Sequence, residues 1–274
     1  TRKESSAASD VYKRQVEETF FRMLRHQEFE VAEMSLSTYV ATLDKAGGIE
    51  ESPFVAIPVY TSRAFRHGGI FINAEAGITE PGDLAGRRIG VPEMQLTAVV
   101  WQRGILRERY GVEYAAATYF TGGAEKPGRV EKGAVDVPYP VQSIGRSQTL
   151  SRMLADGEID ALLAPRIPST FGGEGGAVQR LFPDPKAAEV EYFRETGIFP
   201  IMHVVVIRRD VYDGYPWIAQ SLTKALTRAK DEAHKRIYDA SALQTMDPWL
   251  MVHLEGARTL MGERFWSYGL EEPE

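Results

Sequence analysis

Pro81-Gly82-Asp83-Leu84-Ala85-Gly86-Arg87-Arg88-Ile89-Gly90-Val91-Pro92 sets the pattern for the whole chain. Proline and glycine impose a short helical turn over 81–86. Arg88 to Val91 reads as a buried strand, and Pro92 to Gln95 as a loop into a helix from about Leu96 to Arg109 that Gly111 ends. The same strand–loop–helix order recurs on both sides. Upstream, Val16 to Gln27 has helical spacing, with Val16, Phe20, Met23 and Leu24 on one face, and a strand is expected before it. Phe29 to Met34 is a short apolar strand, and the N-cap residues Ser35-Leu36-Ser37-Thr38 open a helix that closes at Gly47-Gly48. Phe54 to Tyr60 and Ile70 to Asn73 read as strands joined by the basic loop Thr61 to His67.

Downstream, a strand at Ala117 to Phe120 runs into Thr121-Gly122-Gly123, and a polar loop extends to about Gly145. A helix over Gln148 to Ala155, capped by Gly157, leads to a buried strand at Ile159 to Ala164. Ile201 to Ile207 is a near-continuous apolar strand. The helix after Pro216 places Ile218, Leu222, Ala225, Leu226, Ala229, Ala233 and Ile237 on one face. Alternating strands and helices predict an α/β fold with mainly parallel sheets flanked by helices.

At 274 residues the chain exceeds what one core usually serves, so two domains, or one large one, are expected. Hydrophobic residues at 43% and charged ones at 26% are ordinary globular values. A net charge of −6 argues against a nucleic-acid partner. The apolar runs are too short for a bilayer-spanning helix, so no membrane partner is expected. With no cysteine, disulfides and thiolate chemistry are excluded, and five scattered histidines form no short metal-ligand pair. There is no phosphate-loop or nucleophile-elbow motif, and Gly172-Gly173-Glu174-Gly175-Gly176 reads as a surface loop. Residues 1–15, TRKESSAASDVYKRQ, resemble a translated adaptor or a disordered tail more than folded protein. The abrupt start inside a helix and the stop after Tyr268-Gly269-Leu270 suggest a fragment.

Two segments carry a wider resemblance. Asp83 to Pro92 resembles the segment at which type II periplasmic binding proteins cross from their first lobe into their second. Met153-Leu154-Ala155-Asp156-Gly157-Glu158-Ile159-Asp160-Ala161 resembles their helix-to-strand element. The resemblance implies a two-lobed fold closing on a small ligand, with 16–89 plus 200–274 as lobe 1 and 90–199 as lobe 2. A narrower resemblance sits in Glu33 to Ser37, Ile57-Pro58-Val59, Ser62 to His67, Gly90 to Ala98, Val100 to Leu106 and Thr196 to His203. These segments are similar to the 4,5-dihydroxyphthalate decarboxylase family. That family implies cofactor-independent loss of one carboxylate from a dihydroxylated phthalate to give protocatechuate, and a cytoplasmic location. The competing reading is a non-enzymatic solute-binding protein that feeds a transporter, which would be periplasmic, because fold does not fix function.

An aromatic dicarboxylate calls for preorganised positive potential. Ser35 and Ser37 open one helix and Thr97 lies in the first turn of another, where free N–H groups can bind a carboxylate; the plainer reading is that these hydroxyls only cap. Arg63 and Arg66 could clamp a planar carboxylate with paired hydrogen bonds, or be solvated loop arginines that need an anionic neighbour. Arg103 and Arg129 are weaker candidates. The ring carbon that loses CO₂ must be protonated, and the candidate donors are His67, His203 and Glu93, with His67 favoured and His203 open to a plain core role. Glu93 and Gln95, in the loop after a strand's C-terminal end, could hold the catechol hydroxyls, and Gly122 and Gly123 complete the expected substrate-binding set.

Overall fold

Gly47 takes φ 84° at the end of the helix Leu36–Ala46. There its N–H reaches Asp44 O, while that of Gly48 reaches Leu43 O, so the carbonyls a helix leaves over at its C-terminus are satisfied. Gly111 does the same, at φ 68°, for the helix Thr97–Tyr110. The computed structural model describes residues 16–129, 137–239, 241 and 244–269; the expected tail over 1–15 and Leu270 lie outside the described residues.

The chain divides into two units, the first running to Arg63 and resuming at Ile201, the second spanning Ala64–Pro200. In the first unit α1 (Val16–His26) and β1 (Val31–Ser35) are followed by α2 (Leu36–Ala46) and β2 (Phe54–Arg63). Its sheet has the order β1-β9-β2, with β9 (Ile201–Arg208) returning between the two earlier strands and antiparallel to both. The expectation of a mainly parallel sheet therefore does not hold here. The strand that joins β1 to β2 follows the second unit in sequence and runs opposite to both. Met34, Phe54, Val204 and Val206 form a core with Met23 of α1 and Tyr39 of α2. Ile57, Val59, Val205 and Ile207 form the opposite face, against α6 (Arg209–Gly214) and α7 (Trp217–Ile237). Each fully buried aliphatic or aromatic side chain here contributes about 1.5–3 kcal/mol. Only the first part of the predicted α7 stripe packs: Ile218, Leu222 and Leu226 meet the sheet, whereas Ala225, Ala229 and Ala233 are exposed. A further helix, α8 (Leu250–Met261), precedes Trp266 to Gly269.

In the second unit the sheet order is β6-β5-β4-β7-β3-β8. β4 (Arg88–Val91), β5 (Thr118–Thr121), β6 (Val141–Ser143) and β7 (Ala161–Leu163) run parallel, while β3 (Ile70–Asn73) is antiparallel to β7 and to β8 (Val178–Arg180). α3 (Thr97–Tyr110), α4 (Leu150–Ala155) and α5 (Pro185–Thr196) flank it. Because β3 pairs inside this sheet, residues 64–89 belong to the second unit, although the sequence reading had drawn the division at Ile89 and Gly90. Asp160 fixes the start of β4. Its carboxylate accepts from the Arg88 backbone N–H at 2.8 Å and from the Arg88 guanidinium at 2.7 and 3.0 Å. Burial alone would raise that carboxyl's pKa, but the Arg88 bonds hold it below the usual range.

Candidate active site

The first unit gathers polar side chains at one end of its sheet. Ser35 ends β1 and lies opposite His203 of β9, and Ser62 of β2 lies opposite His203 on the other side. Glu33 precedes Ser35 by two residues, so its side chain projects from the same face. There its Oε1 sits 2.8 Å from His203 Nδ1 and accepts from the Thr61 hydroxyl at 2.6 Å. Burial pushes the Glu33 carboxyl up, yet the bonds from His203 and Thr61, with the imidazole's charge, more than offset it and leave the carboxyl below its ordinary range. The His203 side chain is 24% exposed and packs edge-to-face with the Phe20 ring, the ring centres 4.8 Å apart. Its Nε2 has no hydrogen-bond partner among the described residues.

Thr61 reaches Glu33 because β2 bulges. From Ile57 to Ser62 the strand advances five residues while its partner advances two, from Val205 to His203. The carbonyls freed by the bulge are taken up by the C-terminal segment: Gly269 N–H donates to Pro58 O at 2.9 Å and Trp266 Nε1 to Tyr60 O at 3.0 Å. That segment also carries Ser267, whose carbonyl accepts from Arg63 at 3.4 Å, and the Arg63 guanidinium lies 4.9 Å from the Tyr60 ring centre. Burial pulls the Arg63 pKa down, opposed by Tyr60 and Tyr268, and burial raises that of Tyr268, with Glu33 adding to it.

Ser35 is the N-cap of α2 but makes no side-chain cap bond; its hydroxyl lies 3.2 Å from that of Ser37. In this unit the structure therefore brings Ser35, Ser37, Arg63 and His203 to one end of one sheet. Glu33 and Thr61 complete the group. Glu33 lies in one of the family-like segments, but nothing local announces a carboxylate that pairs with a histidine 170 residues later.

The second unit holds the remaining candidates at the C-terminal ends of its parallel strands. Glu93 follows β4, is 7% exposed, and accepts from Arg129 Nη2 at 2.5 Å and Nε at 2.9 Å. Both bonds fall on one oxygen of the carboxylate expected as a proton donor or as a holder of the catechol hydroxyls. Gln95 is half-buried in the same loop, and Thr97 is the buried first residue of α3, behind Leu96 at the N-cap. Gly122 and Gly123 have packing reasons to be glycine. A Cβ on Gly122 would sit 2.3 Å from Ile144, and one on Gly123 would sit 1.7 Å from the Lys126 carbonyl.

Arg66 and His67 are set differently from the expectation. Arg66 has its anionic neighbour in Glu189, whose carboxyl is raised by burial against bonds from the Gly68 and His67 backbone and the charges of Arg66 and Arg180. His67 is fully buried between Phe182 and Tyr192, and neither ring nitrogen has a hydrogen-bond partner. Burial, reinforced by the Arg109 charge, lowers its pKa to about 4. Burial and the neutral form it favours weigh against the donor role expected of His67. Among the described residues no group of three His, Cys, Asp or Glu side chains could hold a metal ion. No described helix is long and apolar enough to cross a membrane.

No family model matches the chain. Among solved structures it is similar to the periplasmic sulfonate-binding protein SsuA from Methylobacillus flagellatus, with a TM-score of 0.45 and 13% identity over 93% of this chain and 67% of that one. It is also similar to the aliphatic sulphonate binding protein SsuA from Escherichia coli, with a TM-score of 0.42 and 10% identity over 89% and 63%. Scores this low leave the α/β architecture to rest on its own strands and helices. Sequence likeness is far closer. The chain is 42% identical over 258 residues to the 4,5-dihydroxyphthalate decarboxylase of Comamonas testosteroni, 93% of this chain and 77% of that protein. It is 44% identical over 180 residues to the enzyme of the same name from Pseudomonas putida, 65% and 68% of the two chains. At that identity over that length, the chain belongs to the 4,5-dihydroxyphthalate decarboxylase family.

Proposed function

We propose that this protein is a carboxy-lyase that removes one carboxylate from 4,5-dihydroxyphthalate, releasing CO₂ and protocatechuate, with His203 as the proton donor. The observation that carries the assignment of roles is the setting of His203: partly exposed, held by Glu33 through Nδ1, and with no partner at Nε2 among the described residues. The substrate itself supplies the electron sink. A hydroxyl para to the departing carboxylate pushes density onto the ring carbon as it loses its proton to a base. The protonated imidazole delivers H⁺ from Nε2 to that carbon. The C–C bond then breaks, its electron pair restores the aromatic ring, the phenol oxygen regains its proton, and CO₂ leaves. One proton is consumed and no electrons are exchanged with another molecule, so the chemistry calls for no redox cofactor. Arg63 at the end of β2, together with the Ser35 and Ser37 hydroxyls at the end of β1 and the start of α2, is proposed to hold a carboxylate.

The test is single-turnover release of labelled CO₂ from carboxyl-labelled 4,5-dihydroxyphthalate. His203→Gln should bind substrate while turnover falls by roughly 10²–10⁴, the usual worth of general acid catalysis. An undiminished rate in His203→Gln removes it from the mechanism, and binding without CO₂ release by the wild type overturns the assignment as a decarboxylase. Arg63→Ala should weaken substrate binding by about 1.5–3 kcal/mol, the range for a hydrogen bond to a charged group, measured by titration calorimetry.

A further inference from the structure

We infer that Glu33, anchored by Thr61, is a positioning residue that fixes the protonation pattern of His203 and so makes Nε2 the nitrogen that exchanges protons with the substrate. The inference deepens the reading of His203 as proton donor and rests on it. Its geometry is that of one carboxylate oxygen with two partners. Glu33 Oε1 faces His203 Nδ1 at 2.8 Å and receives the Thr61 hydroxyl at 2.6 Å. A carboxylate only accepts, so Nδ1 must carry a hydrogen for the contact to be favourable. In the neutral imidazole the proton is then on Nδ1 and Nε2 bears the lone pair; in the imidazolium Nε2 bears the departing proton. Either way the exchange runs through Nε2.

The backbone arrangement makes this a built feature. Glu33 is diagonal to His203 across the β1–β9 ladder, two residues from the Ser35 that lies directly opposite it. The bulge of β2 adds the residues that carry Thr61 to the same oxygen. Phe20, edge-on to the imidazole from α1, limits its rotation. With the ring held at Nδ1 and along one flank, Nε2 keeps one direction, and a fixed direction is what proton delivery to a single ring carbon requires.

The experiment is ¹⁵N spectroscopy of histidine-labelled protein, with His203→Gln assigning the signal, run beside labelled-CO₂ kinetics on the same variants. In the wild type, neutral His203 should show its proton on Nδ1. Glu33→Ala should shift the equilibrium toward the Nε2–H tautomer and lower kcat by roughly 10–100-fold with KM within about twofold, the scale on which a residue that orients another group acts. Glu33→Gln keeps the shape and one acceptor oxygen, so it should fall between, and it guards against loss of fold in the alanine variant. Glu33→Asp, its carboxylate one methylene shorter, should recover part of the rate, and Thr61→Val should cost a few-fold. An unchanged Nδ1–H signature in Glu33→Ala and Glu33→Gln overturns the inference whatever the activity does. So does a shifted tautomer without a fall in kcat where His203→Gln is slow. If His203→Gln itself is undiminished, the donor assignment fails while the tautomer spectra still decide what Glu33 does to the ring.

Discussion

His67 and His203 show how one side chain takes opposite characters from its surroundings. The His203 imidazole borders a carboxylate and keeps a partly exposed edge; that of His67 has aromatic rings around it and a guanidinium nearby. For His67 the neutral form is favoured by folding, with a folded pKa of about 4 against 6.5 in the unfolded chain. Between those values the unfolded chain binds the extra proton. The stability this histidine contributes is thus complete above about pH 6.5 and is lost as pH falls toward 4, by up to roughly 3 kcal/mol. His67→Leu should flatten that part of the stability curve in urea titrations between pH 7 and 4, and leave CO₂ release at neutral pH nearly unchanged. Glu93 offers the complementary case. Arg129→Met would leave a buried carboxylate without its counter-charge, at a cost of about 3–5 kcal/mol, visible as a lowered urea midpoint that Glu93→Gln in the same chain partly restores.

At the scale of elements, the loop after β5 depends on close approach. The Lys126 carbonyl sits where a Gly123 side chain would begin, while the backbone carbonyls of Gly123 and Ala124 accept from Leu150 and Ser151 at the start of α4. Gly123→Ala should therefore lower the unfolding free energy read from urea titration by about 1–3 kcal/mol, the usual cost of forcing a group into filled space. Gly122→Ala should cost less, because its obstacle, Ile144, is a side chain that can rotate. Segments whose side chains alternate or repeat with a clear period were legible in the sequence. Ile70–Asn73 and Arg88–Val91 have the bounds expected, and α1, α2, α3 and α7 fall within a residue or two of theirs. β6 and β8, at three residues each, are too short to show any period; β6 falls in the stretch expected as a polar loop, and β8 has no local signal. α5 had a signal that went unused, with Asp184 as N-cap, Pro185 at the first position and Gly197 at the close. The site was legible in its residue types but not in its pairings. Arg63, Ser35, Ser37 and His203 stood out as charged, capping or strand-bound groups, whereas Glu33 and Thr61 acquire their roles only through a ladder register and a bulge that local sequence does not encode.

At the scale of the whole molecule, the two units differ in how the chain supplies them. The second is continuous and holds both its clusters of buried apolar side chains within Ala64–Pro200. Expressed alone, residues 64–200 should fold, giving a single cooperative urea transition and a dispersed amide spectrum. Residues 16–63 alone should not, because β1 and β2 have no pairing with each other and meet only through β9. That arrangement has a consequence during synthesis. Once β2 has left the ribosome, the 137 residues from 64 to 200 must follow before β9 begins. At 5–20 residues per second, that interval is roughly 7–27 s. Through it the nascent protein carries two apolar strands with their backbone edges open, the condition under which neighbouring chains on one messenger pair with each other. The later-made unit can finish folding first, while β1 and β2 wait for the strand that joins them.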